Sequence, residues 1–128
     1  MHRERSDRPM PFVTVDHFAG VDPQVRRLLQ QRVAQVVVET LGAPPENVRV
    51  FTRAFSPEDA YRGDGDAAAA LPMIRVELMS GRPLELKRRL MVALARTVAE
   101  TLEVDVAQIR TVMYENEPYH FCFGETPR

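Results

Sequence analysis

The chain has 128 residues, with 17 Lys and Arg against 18 Asp and Glu, for a formal charge of −1. This is one domain's worth of chain, and its 45% apolar content suffices for a single core and argues against disorder. The near-neutral balance, with no basic block, argues against non-specific nucleic-acid binding. The lone cysteine, Cys122, excludes an intramolecular disulfide and a cysteine-based zinc cluster. No apolar run approaches the roughly 18 residues of a membrane span. The charged start, Met1 to Pro9, has no apolar stretch of the kind a secretory signal needs, so the expectation is a soluble cytoplasmic protein.

Residues 1–10 show neither strand nor helix period and read as a charged N-terminal tail. A first strand is expected near Phe12 to Phe18, where β-branched and aromatic residues concentrate. Asp22-Pro23 then reads as an N-cap followed by proline in the first helical position. Val25, Leu28, Leu29, Val33, Val36, Val37 and Leu41 recur at helical spacing and form one apolar stripe. Gly42 ends the helix and Pro44-Pro45 forbids its continuation. Asn47 to Phe55 alternates, with Val48, Val50 and Ala54 on one face and Arg49, Phe51, Arg53 and Phe55 on the other. Ser56 to Leu71, with Gly63-Asp64-Gly65-Asp66 and four alanines, reads as a flexible crossover. A second strand, helix and strand follow. Pro72 to Met79 puts Ile74, Val76 and Leu78 on one face. Leu86, Leu90, Ala93, Leu94, Thr97, Val98, Thr101 and Leu102 form the helix stripe, with Thr97 its weak point. Ile109 to Glu115 closes the unit.

The chain is therefore written twice. A constant offset of 61 carries Pro11 onto Pro72, Gly20 onto Gly81, Leu41 onto Leu102, Val48 onto Ile109, Arg49 onto Arg110 and Pro57 onto Pro118, without a gap. Strand, crossover helix and strand imply a parallel pair with a right-handed connection. The expected fold is α/β (α+β): two tandem β-α-β units forming a four-stranded sheet with two helices on one face. One domain spans residues 11–128, with a first repeat over 11–57, a linker over 58–71 and a second repeat over 72–124. The uncovered sheet face carries Phe51 and Val112, so the sheet is expected to pack against further copies of itself.

This pattern resembles the tautomerase superfamily, in the fused form of 4-oxalocrotonate tautomerase-like proteins with a tautomerase/MIF-like fold. Pro72-Met73-Ile74-Arg75-Val76 is similar to the family's opening strand. Gly81-Arg82-Pro83 with Glu85 and Lys87 is similar to its Gly-Arg-Ser-x-Glu-x-Lys stretch. Ile109-Arg110-Thr111-Val112 resembles its Val-Arg-Val segment, and His120-Phe121 before Gly124 its terminal hairpin. By these motifs the second half carries the closer match. The resemblance implies homotrimers or dimers of trimers, no cofactor, and an isomerase that moves a proton between carbon and oxygen of a small keto or enol carboxylic acid. It implies an amino-terminal proline as general base and arginines that hold the substrate carboxylate. Some branches of the family instead hydrate or dehalogenate.

A free α-amino group titrates near 7.7–8, and neighbouring cations lower that value, which suits a general base. An internal proline nitrogen is a planar amide without useful basicity. Pro11 is the candidate catalytic residue if translation begins at Met10 and that methionine is removed. If Met1 is the start, Pro11 is an amide and the chain is a non-catalytic oligomeric member. Pro72 is internal in either case and reads as structural, an edge or first-strand proline. Arg49, Arg82 and Arg110 are the candidate carboxylate ligands, because a guanidinium grips a carboxylate bidentately. Val21 stands in the first half where the second has Arg82, so the two halves are expected to build unequal sites. Phe121 is the candidate aromatic wall, and Tyr114 and Glu115 are candidate auxiliaries for a hydrating branch. His17 and His120 lack partners at metal spacing, so no metal is expected. Cys122 reads as a buried thiol. Arg26-Arg27 and Lys87-Arg88-Arg89 read as exposed helix faces.

Overall fold

The computed structural model describes residues 10–127; the tail expected over residues 1–10 lies, apart from Met10, outside the described residues. The first unit consists of β1 (Phe12–Phe18), α1 (Pro23–Leu41) and β2 (Arg49–Phe55). The second consists of β3 (Met73–Met79), α2 (Leu84–Leu102) and β4 (Arg110–Asn116). A two-stranded hairpin follows, β5 (Cys122–Phe123) with β6 (Thr126–Pro127). Every element of the first unit recurs in the second at the same offset of 61, including the single 3₁₀ turns Pro45–Asn47 and Val106–Gln108.

The sheet order is β2-β1-β3-β4. β1 and β2 are parallel, as are β3 and β4, and β1 and β3 join the units in antiparallel register with Val13 opposite Val76. Both helices lie on one side. Val13, Val15, Ile74, Val76 and Leu78 face Leu29, Val33 and Val37 of α1 and Leu90, Leu94 and Val98 of α2. Each such fully buried side chain contributes roughly 2 kcal/mol of hydrophobic stabilisation. Leu28, placed in the apolar stripe by its spacing, is instead exposed, because the contact arc of α1 is narrower than the stripe. Thr97 is no defect. Its hydroxyl donates to the Ala93 carbonyl at 2.8 Å, and Thr101 donates to Thr97 in the same way.

The local signals behave as their chemistry requires. The Asp22 carboxylate accepts from the Gln24 amide at 2.8 Å, and Gly42 ends α1 at φ 65°. Pro72 lies immediately ahead of β3, which is an inner strand, so it is an entry proline and not an edge one. The crossover from β2 to β3 carries two 3₁₀ turns, Pro57–Asp59 and Ala67–Ala69, and an Arg62–Asp64 ion pair at 2.6 Å. Its end is anchored by buried Leu71. Among the described residues, no helix is long and apolar enough to cross a membrane.

Candidate active site

Strand parity assigns each side chain to the helix-covered or the open sheet face. On β1, Val13, Val15 and His17 face the helices, while Phe12, Thr14, Asp16 and Phe18 face outward. Arg49, Phe51 and Arg53 of β2, Arg75 and Glu77 of β3, and Tyr114 and Asn116 of β4 share that open face.

The start of β1 gathers several of the candidate residues. Pro11 is buried, and its carbonyl accepts from the Arg49 backbone amide at 3.2 Å. The Arg49 guanidinium lies 5.9 Å from the centre of the Phe12 ring, a cation–π arrangement. Phe121 lies 6.2 Å from the same ring, and Phe123 stacks edge-on against Phe121 at 5.1 Å. The antiparallel register sets this corner beside the end of β3, where Gly81, at φ 114°, turns the chain into Arg82. Arg82 is only 8% exposed. Pro11, Arg49, Arg82 and Phe121 thus collect at one end of the sheet.

Met10 belongs to the same corner. It is 6% exposed, and its sulfur accepts from the Asn116 side-chain amide at 3.5 Å. The same Asn116 nitrogen donates to the Leu78 carbonyl at 3.3 Å. With Met10 attached, the Pro11 nitrogen is an amide.

Arg110 lies at the other end of the sheet. It opposes Met73, and its guanidinium donates to the Ala107 carbonyl at 3.0 Å beside a cavity of about 410 Å³ that Tyr61 and Arg62 also line. Within one chain it is not brought to Pro11. Tyr114 and Glu115 point to opposite faces: Tyr114 is 49% exposed on the open side, and Glu115 accepts from Lys87 of α2 at 2.8 Å. Lys87 is therefore a partner of β4 as well as a helix-face cation. His17 is buried, with its Nδ1 2.8 Å from the Phe18 carbonyl. His120 is exposed. Cys122 is exposed, not buried, because its hairpin is only two residues per strand and leaves the body of the sheet. Among the described residues no cluster of three or more His, Cys, Asp or Glu is poised for a metal.

Two features escaped the sequence reading. One is Asn116. The other is Asp16, 1% exposed, whose carboxylate takes a two-bonded grip from Arg53 at 2.7 and 2.9 Å and a further bond from Arg75. Burial pushes the Asp16 carboxyl up, but the Arg53 and Arg75 guanidiniums together outweigh it and hold the group below its ordinary value of 3.8. Outward strand parity for Asp16, Arg53 and Arg75 was the available signal. The cross-strand register that joins them was not.

The second end, around Pro72, is the structural counterpart of the first. Met10 has Leu71 as its equivalent, Leu78 has His17 and Arg82 has Val21. There a cavity of about 320 Å³ opens between His17, Val21, Leu71, Pro72 and Val104. No guanidinium stands where Arg82 stands at the first end.

The family model described as "Tautomerase enzyme" matches residues 11–68. That match falls on the first unit and not on the second, where the individual motifs had placed the closer resemblance. A probable tautomerase of Streptococcus pyogenes serotype M3 is 39% identical over 57 residues, covering 44% of this chain and 92% of the relative. One from Bacillus cereus is 40% identical over 47 residues, covering 37% of this chain and 77% of the relative. Among solved structures, a wild-type fused 4-OT asymmetric trimer superposes with a TM-score of 0.86 at 25% identity, over 91% of this chain and 94% of that one. A native fused 4-OT gives 0.83 at 28% identity over the same shares. A malonate semialdehyde decarboxylase shares the fold, with a TM-score of 0.72 at 17% identity. The short relatives match over about the length of one β-α-β unit, the fused structures cover both units, and on these grounds the chain belongs to the tautomerase superfamily, as a 4-OT-like member with two units in one chain.

Proposed function

We propose that this chain, in a form that begins at Pro11, is a tautomerase of a small keto or enol carboxylic acid. The observation that carries the reading is the gathering of Pro11, Arg49, buried Arg82 and Phe121 at one end of the sheet. Once free, the Pro11 ring nitrogen is a secondary amine at the same end of the sheet as the Arg49 and Arg82 guanidiniums, and nearby positive charge disfavours its charged form and helps leave it neutral near pH 7. It takes a proton from the carbon next to the substrate carbonyl and returns it to oxygen. Arg49 and Arg82 hold the carboxylate, and Phe121 walls the pocket from water.

Arg110 lies too far along the sheet to join Pro11 within one chain, so its share in the site falls to a neighbouring copy. The open face, with exposed Phe51 and Tyr114, is the surface through which copies associate. Among the fused 4-OT structures that this chain resembles are symmetric and asymmetric trimers, and a homotrimer is the assembly proposed here. A form that keeps Met10 has no base and is a non-catalytic oligomer. The buried seat of Met10 favours this second reading for the longer chain.

Intact-mass measurement of the protein from its native host separates the two. A mass that begins at Pro11 supports the enzyme, and one that retains Met10 removes the base. With phenylenolpyruvate as probe, Pro11→Ala in the Pro11-started protein is expected to lower kcat/KM at least about 100-fold. Unchanged ketonisation would place the proton shuttle elsewhere.

A further inference from the structure

The Asn116 side chain has two N–H donors, and its partners differ in quality. The Leu78 carbonyl is a full acceptor and orients the group. The Met10 sulfur is a weak one. Met10 directly precedes Pro11, and five bonds of about 1.5 Å separate its sulfur from the Pro11 nitrogen, which keeps the two within about 6 Å. Asn116 is thus a fixed donor aimed at a buried spot next to the atom that becomes the base. When Met10 is gone, the half-buried Asn116 amide keeps its bond to the Leu78 carbonyl, loses its second partner and is left with an N–H to offer an incoming acceptor.

We propose that Asn116 donates a hydrogen bond to the reacting carbonyl oxygen of the substrate, in the space the Met10 side chain fills in the longer chain. This rests on Pro11 acting as the base. In the keto-to-enol direction the Pro11 nitrogen takes the proton from the α-carbon. The C–H electron pair becomes the new carbon–carbon π bond, and the carbonyl π pair moves onto oxygen. Negative charge grows on that oxygen, and the Asn116 amide meets it without giving up its own proton. The proton held by Pro11 is then delivered to the oxygen. Arg49 and Arg82 remain with the carboxylate, so base, oxyanion donor and carboxylate clamp are separate groups. The repeat supports the assignment: at the offset of 61 the first unit has Phe55 where the second has Asn116, so the Pro72 end, which has no free amine, also lacks the donor.

The test uses the Pro11-started protein. Asn116→Ala is expected to lower kcat for phenylenolpyruvate about 100-fold, the scale for loss of an oxyanion donor, with KM within threefold. Asn116→Asp puts a negative charge beside the amine and is expected to raise the Pro11 titration, read by ¹⁵N NMR of labelled proline, by about half a pH unit. A kcat within threefold of the parent in Asn116→Ala, or an unmoved Pro11 titration in Asn116→Asp, overturns the assignment. Turnover that Pro11→Ala abolishes and Asn116→Ala spares sinks the role of Asn116 alone. No turnover in the parent protein sinks the proline base and the donor together.

Discussion

The two β-α-β units share a backbone and differ in chemistry. Strands, helices and even 3₁₀ turns recur at one offset, and Leu29 and Leu90, its core equivalents, are both fully buried. Around the two entry prolines the side chains diverge. Pro11 is flanked by the turn that carries Arg82, and Pro72 by the turn that carries Val21. Asn116 closes one corner and Phe55 the other. On the open face, Asp16 is buried and gripped by two arginines, while its equivalent Glu77 is exposed. The fold is thus maintained by positions the repeat preserves, while the two ends of the sheet are told apart by positions it does not, Arg82 against Val21 and Asn116 against Phe55.

The largest expected effect tests the shared part. Leu29→Ala and Leu90→Ala each empty a fully enclosed site, and each is expected to cost about 3 kcal/mol. Measured by chemical denaturation at one protein concentration, the two losses should agree within about 1 kcal/mol. A much larger gap would show that the halves are equal in outline and unequal in packing.

Next comes the open face, where the units differ. Asp16→Asn leaves the Arg53 and Arg75 guanidiniums against a neutral amide, at an expected cost of about 2 kcal/mol. Glu77→Gln, at the equivalent but exposed position, should change stability by less than about 0.5 kcal/mol. The pH dependence has a definite sign. The Asp16 carboxyl is lowered in the folded state from its ordinary 3.8. Its contribution is therefore complete above the unfolded value and is lost as pH falls through the lower, folded one. Acid titration of stability should show a fall below about pH 4 in the parent that is smaller in Asp16→Asn.

This division explains what could be read from residues alone. Periodicity, Asp22-Pro23, Gly42 and the repeat are local signals, and each strand and helix they predict is present within about two residues, the largest shift being β2, which begins at Arg49 and not at Asn47. Leu28 misled because spacing gives the direction of a stripe and not the width of its contact. Cys122 misled because thiols favour cores while its hairpin is too short to make one. The site was only partly legible. Arg49 comes to the start of β1 through the parallel β1–β2 pairing, Phe121 packs on Phe12 there, and Arg82 is brought to the same end of the sheet by the antiparallel β1–β3 join between the units. Arg110, equal to Arg49 by repeat position, goes to the opposite end for the same reason. Asp16 with Arg53 and Arg75 depends on register across three strands, and Asn116 on the seat of Met10. None of these pairings leaves a trace in local spacing.

The smallest effect concerns one residue at which the repeat fails locally and the fold absorbs the failure. Both helices end in a left-handed cap whose backbone amide donates back into the last turn. In α1 that residue is Gly42 at φ 65°, and in α2 it is Glu103 at φ 58°. A side chain in that conformation costs about 1–2 kcal/mol, which glycine avoids. Glycine in turn gives the unfolded chain more freedom, which offsets part of the gain. Glu103→Gly is therefore expected to stabilise by about 0.5–1 kcal/mol, and Gly42→Ala to destabilise by about 1 kcal/mol. If thermal unfolding showed Glu103→Gly to be destabilising, the Glu103 side chain would have to be making a contact that outweighs its backbone conformation, and the two caps would be alike in shape without being alike in energy.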